Sequence, residues 1–208
     1  MARLLRIDSS SRLDGSRTRA LADYLQAAWL AKYPDTEVIA RDVVETEIPH
    51  IAQIAIAGSY TPPDQRSADM TEALALSDIL INELMTSETL VFSVPMYNFS
   101  VPSALKAWID QIVQINRTFT FDGTTYEGLV TAKRAFVICS YGAAGYVGDG
   151  PFSSLNFLSP YMEGLLGFLG VAQVQCFHLE GTAFDAETIA ANVKQVQQEI
   201  DEVIAQTS

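Results

Sequence analysis

The 208-residue sequence predicts an α/β fold in which helices cover both faces of a doubly wound, five-stranded parallel sheet. Five short apolar runs alternate with segments of helical spacing, as expected when crossover helices connect parallel strands. These runs are too apolar to leave one sheet face in water, which favours a sheet covered on both sides. The length suits a single core, so residues 1–208 are predicted to form a single domain.

The chain begins with a strand, a polar loop and a helix. Residues 2–8, ARLLRID, form the first apolar run, and the polar cluster SSSRLDGS follows it. The next segment has the spacing of one helix face, with apolar residues at Leu21, Tyr24, Leu25, Ala28 and Trp29. Pro34 and Asp35 end this helix, and TEVIARDVV is the second predicted strand.

The middle of the chain contains an irregular connection and two helices. Residues 45–65 mix β-branched residues, glycine and prolines without a period, leaving room for a short helix only. A long helix is predicted over residues 66–86, and ETLVFSV follows as the third strand. Its predicted buried stripe is Leu74, Ile79, Leu80 and Leu84. Residues 103–117 also have helical spacing, and Pro102 suits a first helical turn.

The carboxyl-terminal part adds a hairpin and two further strands. TFTFDGTTYEGLV alternates aromatic and polar residues around Asp122 and Gly123, which predicts a β-hairpin. KRAFVICS is the fourth strand, and the glycine-rich loop YGAAGYVGDGP and a helix over residues 152–170 follow it. AQVQCFHLE is the fifth strand, and residues 185–205 form the closing helix.

Charge and composition exclude several classes of function. Twenty-five acidic and 13 basic residues give a formal charge of −12, which disfavours nucleic acid and acidic membranes as partners. No apolar run approaches the ~18 residues of a membrane span, and the start lacks a signal-peptide core, so a cytoplasmic location is expected. Cys139 and Cys176 lie in apolar runs and are expected to be ordinary core thiols, with neither a disulfide nor a metal between them.

The polar loops that follow the first, third and fourth strands are predicted to meet in space. In a doubly wound sheet, ligands bind beyond the carboxyl ends of the strands, near the point where strand order reverses. SSSRLDGSRT, PMYNFS and SYGAAGY are therefore expected to surround one site. This convergence is the main functional signal in the sequence.

The first of these loops has the features of a phosphate site. Hydroxyl groups and the free N–H groups of a helix start bind phosphate without a basic surface, and Arg17 can add one charge. An ordinary N-cap by Ser16 is an equally good interpretation of the same residues. A Walker A ending and a G-x-G-x-x-G motif are both missing, which disfavours triphosphate hydrolysis and a Rossmann dinucleotide site.

The second loop has the features of a flat-ring site. Met96, Tyr97 and Phe99 can form an apolar wall against a heterocycle, and Asn98 can bond its edge. Taken without the phosphate loop, these three side chains are more typical of core residues that plug the end of the sheet. Combined with a phosphate loop, however, a ring loop predicts a mononucleotide such as FMN.

At these residues the chain resembles the FMN-dependent NAD(P)H azoreductase/quinone reductase family, whose fold is flavodoxin-like. The resemblance covers nearly the whole length, and its most specific part is PMYNF followed by a leucine-lysine helix. The segments that carry it are SSSRLDGSRT, PMYNFSVPSALKAWID, TFTFDGTTYEGLV, KRAFVICSYG and YMEGLLGFLGV.

The resemblance implies which residues bind the cofactor. Ser10, Ser16, Arg17 and Thr18 would hold the FMN phosphate and ribityl chain. Met96, Tyr97, Asn98 and Phe99 would line the isoalloxazine ring, and Ser140, Tyr141, Gly142 and Ala143 would close over its other edge. The family commonly has serine-arginine-glycine-glycine in that last loop, so Tyr141 and Ala143 depart from its pattern and affect the expected substrate range.

The resemblance also implies an activity and an assembly. A hydride would pass from NADH or NADPH to FMN and then, in a ping-pong cycle, to a quinone or azo compound. Such a cycle needs stacking more than a general base, and the only histidines are His50 and His178. His178 is expected to be a core or strand-end residue, and His50 is a weak candidate for the pocket rim. A homodimer is implied, in which Phe119 and Phe121 of the hairpin would line the substrate site unless they only pack the hairpin down.

Two other functions compete with the reductase. A flavodoxin-type electron carrier would suit the same fold and acidic charge, but it would not oxidise NADH steadily with a soluble quinone. A serine hydrolase is disfavoured because no G-x-S-x-G elbow is present and neither histidine stands in a triad context.

Overall fold

The computed structural model describes residues 2–207. Its main sheet has five parallel strands in the order β2-β1-β3-β6-β7, and a separate antiparallel hairpin pairs β4 with β5. The strands are β1 Arg3–Asp8, β2 Glu37–Asp42, β3 Thr89–Pro95, β4 Phe119–Phe121, β5 Tyr126–Gly128, β6 Arg134–Ser140 and β7 Gln173–Leu179. The predicted doubly wound α/β class and the hairpin are confirmed.

In the part of the chain that the structure describes, six α-helices connect and cover the strands. They are α1 Arg17–Lys32, α2 Gln53–Tyr60, α3 Ala68–Met85, α4 Ser103–Ile112, α5 Ser159–Phe168 and α6 Ala186–Gln206. Short 3₁₀ turns lie at Pro63–Gln65 and Ser153–Leu155. Within residues 2–207, no helix combines the length and the apolar character needed to cross a membrane.

The apolar strands separate two layers of core. On one face α1 and α6 pack against the sheet, with Trp29 edge-on to Phe136 at 5.8 Å between ring centroids. On the other face the core includes α3, α4 and α5, with Trp108 edge-on to Phe92 at 5.8 Å. All seven residues of the central strand β3 are buried, as a strand covered on both faces requires. Cys139 and Cys176 are free and buried, as predicted.

Three details of the helices differ from the prediction. α4 ends at Ile112 rather than near residue 117, because the Thr118 hydroxyl donates to the Ile112 carbonyl (2.7 Å) and accepts from the Gln114 N–H. α5 begins only at Ser159, since the Asn156 side-chain oxygen accepts from the N–H groups of Leu158 and Ser159, which a longer helix would have bonded internally. Ile79 is exposed, and Ser77 and Ile81 share the buried face of α3 with the three predicted leucines.

The register of the parallel strands aligns their carboxyl ends. Asp8 lies opposite both Asp42 of β2 and Ser93 of β3, and Ser140 of β6 lies opposite Pro95 and Leu179. The loops that leave β1, β3, β6 and β7 therefore start from one edge of the sheet. This alignment positions the candidate site.

Candidate functional site

A cavity of about 360 Å³ lies at this edge of the sheet. Its volume falls in the range of small-molecule and cofactor sites. One wall comes from the serine loop (residues 9–16) and the start of α1, which contribute Ser10, Ser16, Arg17 and Thr18. The opposite wall comes from the ring loop (residues 95–100) and the 140s loop (residues 140–143), which contribute Met96, Tyr97, Ser140 and Gly142. The three loops expected to converge do so.

The serine loop presents buried hydroxyl groups at a helix start. Ser10, Ser16 and Thr18 are buried, and the Ser16 and Thr18 hydroxyl oxygens lie 3.2 Å apart. Ser16 is the N-cap of α1 and accepts from the Arg19 N–H at 3.4 Å. The first intrahelical bond runs from the Ala20 N–H to the Ser16 carbonyl. The N–H groups of the first turn come before it in the chain and so have no carbonyl partner within the helix. N-cap and anion cradle are therefore compatible roles of one loop.

Two unpaired positive charges line the same cavity. The guanidinium groups of Arg12 and Arg17 have no ion-pair or hydrogen-bond partner within residues 2–207. Most other basic side chains in that range are paired, for example Arg3 with Glu37 and Lys133 with Glu88. The cavity therefore attracts anions locally although the chain carries a formal charge of −12.

A partly buried ion pair, between Arg19 and Asp42, holds the serine loop at the end of β2. One terminal nitrogen of Arg19 bonds the Asp42 carboxylate and the other donates to the Ser10 carbonyl at 2.9 Å. Burial alone would raise the pKa of Asp42, but Arg19 and the N–H groups of Glu45 and Val44 lower it below its usual value. The hydrogen bond to Asp42 likewise raises the pKa of Arg19. Both groups are charged at neutral pH and hold a fixed geometry.

The ring loop contains a strained turn. Tyr97 and Ser100 exchange backbone hydrogen bonds of 3.0 and 3.1 Å, while Asn98 (φ 49°) and Phe99 (φ 73°) adopt left-handed backbone angles. Asparagine tolerates this region, whereas an aromatic residue there costs on the order of 1–3 kcal/mol. Within residues 2–207 neither the N–H nor the side-chain amide of Asn98 has a hydrogen-bond partner, so both are free to bond a ligand. Strain of this kind is typical of binding sites.

The 140s loop divides its residues between the cavity and the core. Ser140 and Gly142 face the cavity, and the Ser140 carbonyl accepts from the Met96 N–H at 2.8 Å. Tyr141 is fully buried and does not line the cavity, and neither does Ala143. The aromatic side chain at position 141 thus packs inside the protein rather than replacing a cation at the cavity.

Tyr141 is the buried centre of a partly buried polar cluster beside the cavity. Its hydroxyl lies 3.2 Å from His178 Nδ1 and 3.5 Å from the Asn156 amide oxygen, and its ring stacks on Tyr146 at 5.5 Å. Burial raises the pKa of Tyr141 and lowers the pKa of His178. His178 is a strand residue of this cluster, as expected, and His50 is exposed and does not line the cavity.

A turn after β7 adds residues that sequence analysis missed. In this β7–α6 turn (residues 181–183), the N–H groups of Gly181, Thr182 and Ala183 donate to the carbonyls of Ala143, Tyr141 and Gly142 at 2.9–3.1 Å. The Thr182 hydroxyl also donates to the Tyr141 carbonyl at 3.0 Å. The side of the cavity formed by Thr182 and Ala183 therefore also fixes the 140s loop.

Arg12 and Pro95 were missed as well, although local signals pointed to them. Arg12 belongs to the serine-rich segment, and Pro95 begins the ring motif. Thr182 and Ala183 follow the fifth strand, so the rule that placed the other three loops at the site applies to them equally.

The predicted hairpin aromatics lie outside the cavity of this chain. Phe119 packs on Phe168 at 5.0 Å between centroids, and Phe121 stacks on Tyr126 at 4.5 Å. Phe121 and Tyr126 remain 40% and 61% exposed, so this aromatic cluster is available to a second molecule.

Two further hollows differ in character from the site. One of about 480 Å³ adjoins it, shares Tyr97 with it, and is lined by Asn98, Lys106 and Tyr161 among others. Another of about 500 Å³ lies at the amino ends of β6 and β7, lined by Arg134 and Gln173 among others. The latter lies at the end of the strands opposite to that of the converging loops.

Comparison with known proteins places this geometry in a family. Residues 2–204 match a family model described as a flavodoxin-like fold. The chain is 47% identical over 175 residues to an FMN-dependent NADH:quinone oxidoreductase of Xanthobacter autotrophicus, with 84% of each chain covered. It is 41% identical over 195 residues to FMN-dependent NADH:quinone oxidoreductase 1 of Hahella chejuensis, with 94% of this chain and 93% of that one covered.

Solved structures share the fold at lower sequence identity. An azoreductase from Bacillus anthracis superposes with a TM-score of 0.89 at 19% identity, covering both chains completely. An FMN-dependent NADH-azoreductase from the same species, solved in complex with FMN, gives a TM-score of 0.84 at 20% identity, with 98% and 100% of the two chains covered.

Proposed function

Because this chain belongs to the family of FMN-dependent NADH:quinone oxidoreductases, with a flavodoxin-like fold, we propose that it binds FMN and reduces quinones and azo compounds with NADH. NADPH is an alternative donor to be compared directly. The reaction class comes from the relatives, and the site residues come from the cavity at the carboxyl edge of the sheet.

The observation that carries the proposal is the meeting of a hydroxyl cradle and an apolar ring wall. The Ser11 N–H donates to the Tyr97 hydroxyl at 3.2 Å, so the serine loop and the ring loop are in direct contact. Buried hydroxyl groups and two free guanidinium groups suit a phosphate. Met96 and Tyr97 suit a flat ring. One mononucleotide can therefore touch both.

Each predicted residue has a proposed role toward FMN. Ser10, Ser16, Thr18 and Arg17 hold the phosphate and ribityl chain, while Met96, Tyr97 and Phe99 cover the ring and Asn98 bonds its edge. Ser140 and Gly142 border the other ring edge, and Tyr141 and Ala143 support them from the core side. At Gly142 a Cβ atom would meet nothing within 4 Å, which leaves open space for a ligand beside its backbone.

The chain's contribution to the reaction is binding and orientation. Bound FMN supplies hydride acceptance from the nicotinamide and hydride donation to the acceptor, and we propose that the two substrates use the site in turn in a ping-pong order. The apolar ring wall excludes water and aligns a stacked substrate. No histidine reaches the cavity, since His50 is exposed outside it and His178 lies behind Tyr141.

We also propose that residues 1–208 act as a single domain within a cytoplasmic homodimer. The exposed aromatic cluster of Phe121 and Tyr126 supports a partner chain at the hairpin. Phe119 and Phe121 of that partner would border the substrate site. The charge of −12 supports small-molecule partners rather than nucleic acid.

The test begins with the purified protein and its visible spectrum. We expect flavin absorbance, or its appearance on incubation with FMN, and steady oxidation of NADH in the presence of a benzoquinone and of an azo dye. Thr18→Val should weaken FMN binding roughly tenfold through loss of a hydrogen bond to a charged group, while riboflavin, which has no phosphate, should bind equally to both proteins.

Ser59→Ala is the matched control, because within residues 2–207 the Ser59 hydroxyl bonds only the Ile56 carbonyl and Ser59 does not line the cavity. A protein that binds no FMN contradicts the proposal. A protein that binds FMN but does not turn over NADH with the quinone is a flavodoxin-type electron carrier instead.

A further inference from the structure

The peptide that joins Ser10 to Ser11 connects the serine loop to the ring loop. Its carbonyl accepts a hydrogen bond from a terminal nitrogen of Arg19 at 2.9 Å, and its N–H donates to the Tyr97 hydroxyl at 3.2 Å. A single peptide plane is thus held at both ends. Since a peptide is rigid, the direction of its carbonyl sets the direction of its N–H.

The guanidinium of Arg19 has a fixed position of its own. Its side chain is 15% exposed, and it pairs with Asp42, which is 18% exposed and is the last residue of β2. The other oxygen of Asp42 accepts from the N–H groups of Val44 and Glu45 at 2.9 and 3.1 Å. Arg19 therefore transfers the rigid geometry of the sheet edge to the loop.

Nε, the third nitrogen of the Arg19 guanidinium, indicates which contacts determine the orientation of this side chain. Nε of Arg19 is buried and has no hydrogen-bond partner within residues 2–207. An unsatisfied buried donor is costly, so the guanidinium is oriented for its contacts with Asp42 and Ser10 at the expense of Nε.

Tyr97 depends on this peptide for its orientation. The residue is 38% exposed, and the only side-chain hydrogen bond of Tyr97 within residues 2–207 is the one from Ser11. Its backbone is held by the Ser100 pairing, which does not fix the ring. Without the bond from Ser11, the ring would be free to rotate away from the cavity wall.

Resting on the proposed FMN site, we propose that Arg19 is a positioning residue that sets the Tyr97 ring against the flavin through the Ser10–Ser11 peptide. Arg19 itself does not line the cavity. The phosphate end and the ring end of the site are thereby coupled. The ion pair of Arg19 with Asp42 affects ring binding indirectly, through the peptide and the Tyr97 hydroxyl.

A double-mutant cycle on FMN affinity tests this coupling. The dissociation constant of FMN is measured by flavin fluorescence for the wild type, Arg19→Met, Tyr97→Phe and the double variant. Each single change should weaken binding ~3- to 10-fold, the value of one hydrogen bond, and the double variant should be no weaker than the weaker single variant. The visible circular dichroism of bound FMN should change in the same way in both single variants.

Arg41 of β2, the neighbour of Asp42 in sequence, offers a matched control for Arg19. It pairs with Glu83 at similar exposure, 19% and 14%, and within residues 2–207 its side chain has no hydrogen bond to either loop. Arg41→Met should leave FMN affinity unchanged both alone and in combination with Tyr97→Phe. If Arg19→Met does not fold, the cycle is measured with Arg19→Lys instead, which keeps a charge beside Asp42.

The outcomes separate this inference from the proposed function. If the fold-changes in the FMN dissociation constant of the Arg19→Met and Tyr97→Phe variants multiply in the double variant, the two residues act independently and the coupling is overturned. An unchanged FMN affinity in Tyr97→Phe also overturns the coupling. This variant is a mild change, because it removes only one hydroxyl from a residue that is 38% exposed. A wild-type protein that binds no FMN contradicts the proposed function instead.

Discussion

At the scale of single residues, Tyr141 shows how burial redirects a loop side chain. The resemblance placed it at the flavin, as part of the loop that closes over the ring. In the structure it packs between Tyr146 and His178 with its hydroxyl bonded inside the core. A large aromatic side chain gains more by burial than by exposure at a cavity rim. Its assignment as a flavin contact remains a prediction, and its visible role is to support the loop.

His178 in this cluster makes stability depend on pH. Burial lowers its pKa, although the carboxylates of Glu163, Glu180 and Glu199 act in the opposite direction. Around and below pH 6.5 the unfolded chain therefore binds a proton at this histidine more readily than the folded chain does. The stabilisation is complete above about pH 6.5 and is lost as pH falls toward the lower folded pKa, by up to about 1.4 kcal/mol per pH unit.

Urea denaturation between about pH 7.5 and pH 5 measures this effect. The free energy of unfolding should decrease more steeply with falling pH in the wild type than in His178→Gln, which keeps hydrogen-bonding groups beside Tyr141. Parallel pH profiles of the two proteins would show that His178 is not the group responsible.

At the scale of secondary-structure elements, the strand ends and the turns between them build the site. The β7–α6 turn is one such element, because it fixes the backbone of the 140s loop with hydrogen bonds from three successive N–H groups. Gly181 makes this turn possible: its φ is +71°, and a Cβ atom there would lie 2.6 Å from Phe184 Cδ2. Only glycine satisfies both conditions without strain.

Gly181→Ala should therefore disturb two properties together. We expect a loss of about 1–2 kcal/mol in the free energy of unfolding from the left-handed backbone, and a several-fold weaker FMN affinity because the 140s loop loses its support. Gly123→Ala is the control, since its φ is +99° but a Cβ atom there meets nothing within 4 Å. Chemical denaturation and FMN titration of both variants test this, and equal FMN affinities would disprove the role of the turn.

At the scale of the whole molecule, the main question is what covers the exposed hairpin. Phe119 is held by Phe168 within the chain, whereas Phe121 and Tyr126 stack on each other with much of their surface in solvent. The proposed homodimer would bury this surface and bring it to the site of the partner chain.

We expect a solution mass of twice the 22.7 kDa chain and a specific kinetic effect of Phe121→Ala. This variant should raise the Michaelis constant for a quinone several-fold through lost aromatic contact, and leave FMN affinity unchanged. Tyr60→Ala, which removes another exposed aromatic residue, is the control. Light scattering and steady-state kinetics provide the measurements, and unchanged quinone kinetics would remove Phe121 from the site.

Most of the architecture could be predicted because it is encoded in local periodicity. The five apolar runs became the five strands, and Ser16 became the N-cap of α1. The errors in α4 and α5 came from side chains that bond the backbone. Thr118 and Asn156 satisfy groups that a longer helix would have satisfied, and spacing alone does not reveal such competition.

By itself, the sequence determined the strands, the helices and the three polar loops that had to share one edge of a parallel sheet, because hydrophobic period and strand direction are local properties. Only the tertiary structure decided which loop side chains face the cavity. It turned Tyr141 inward, brought Thr182 in from a fourth loop and placed Arg19 beneath Ser10. Those choices depend on burial and hydrogen bonding between segments far apart in the chain, and no single stretch of sequence contains them.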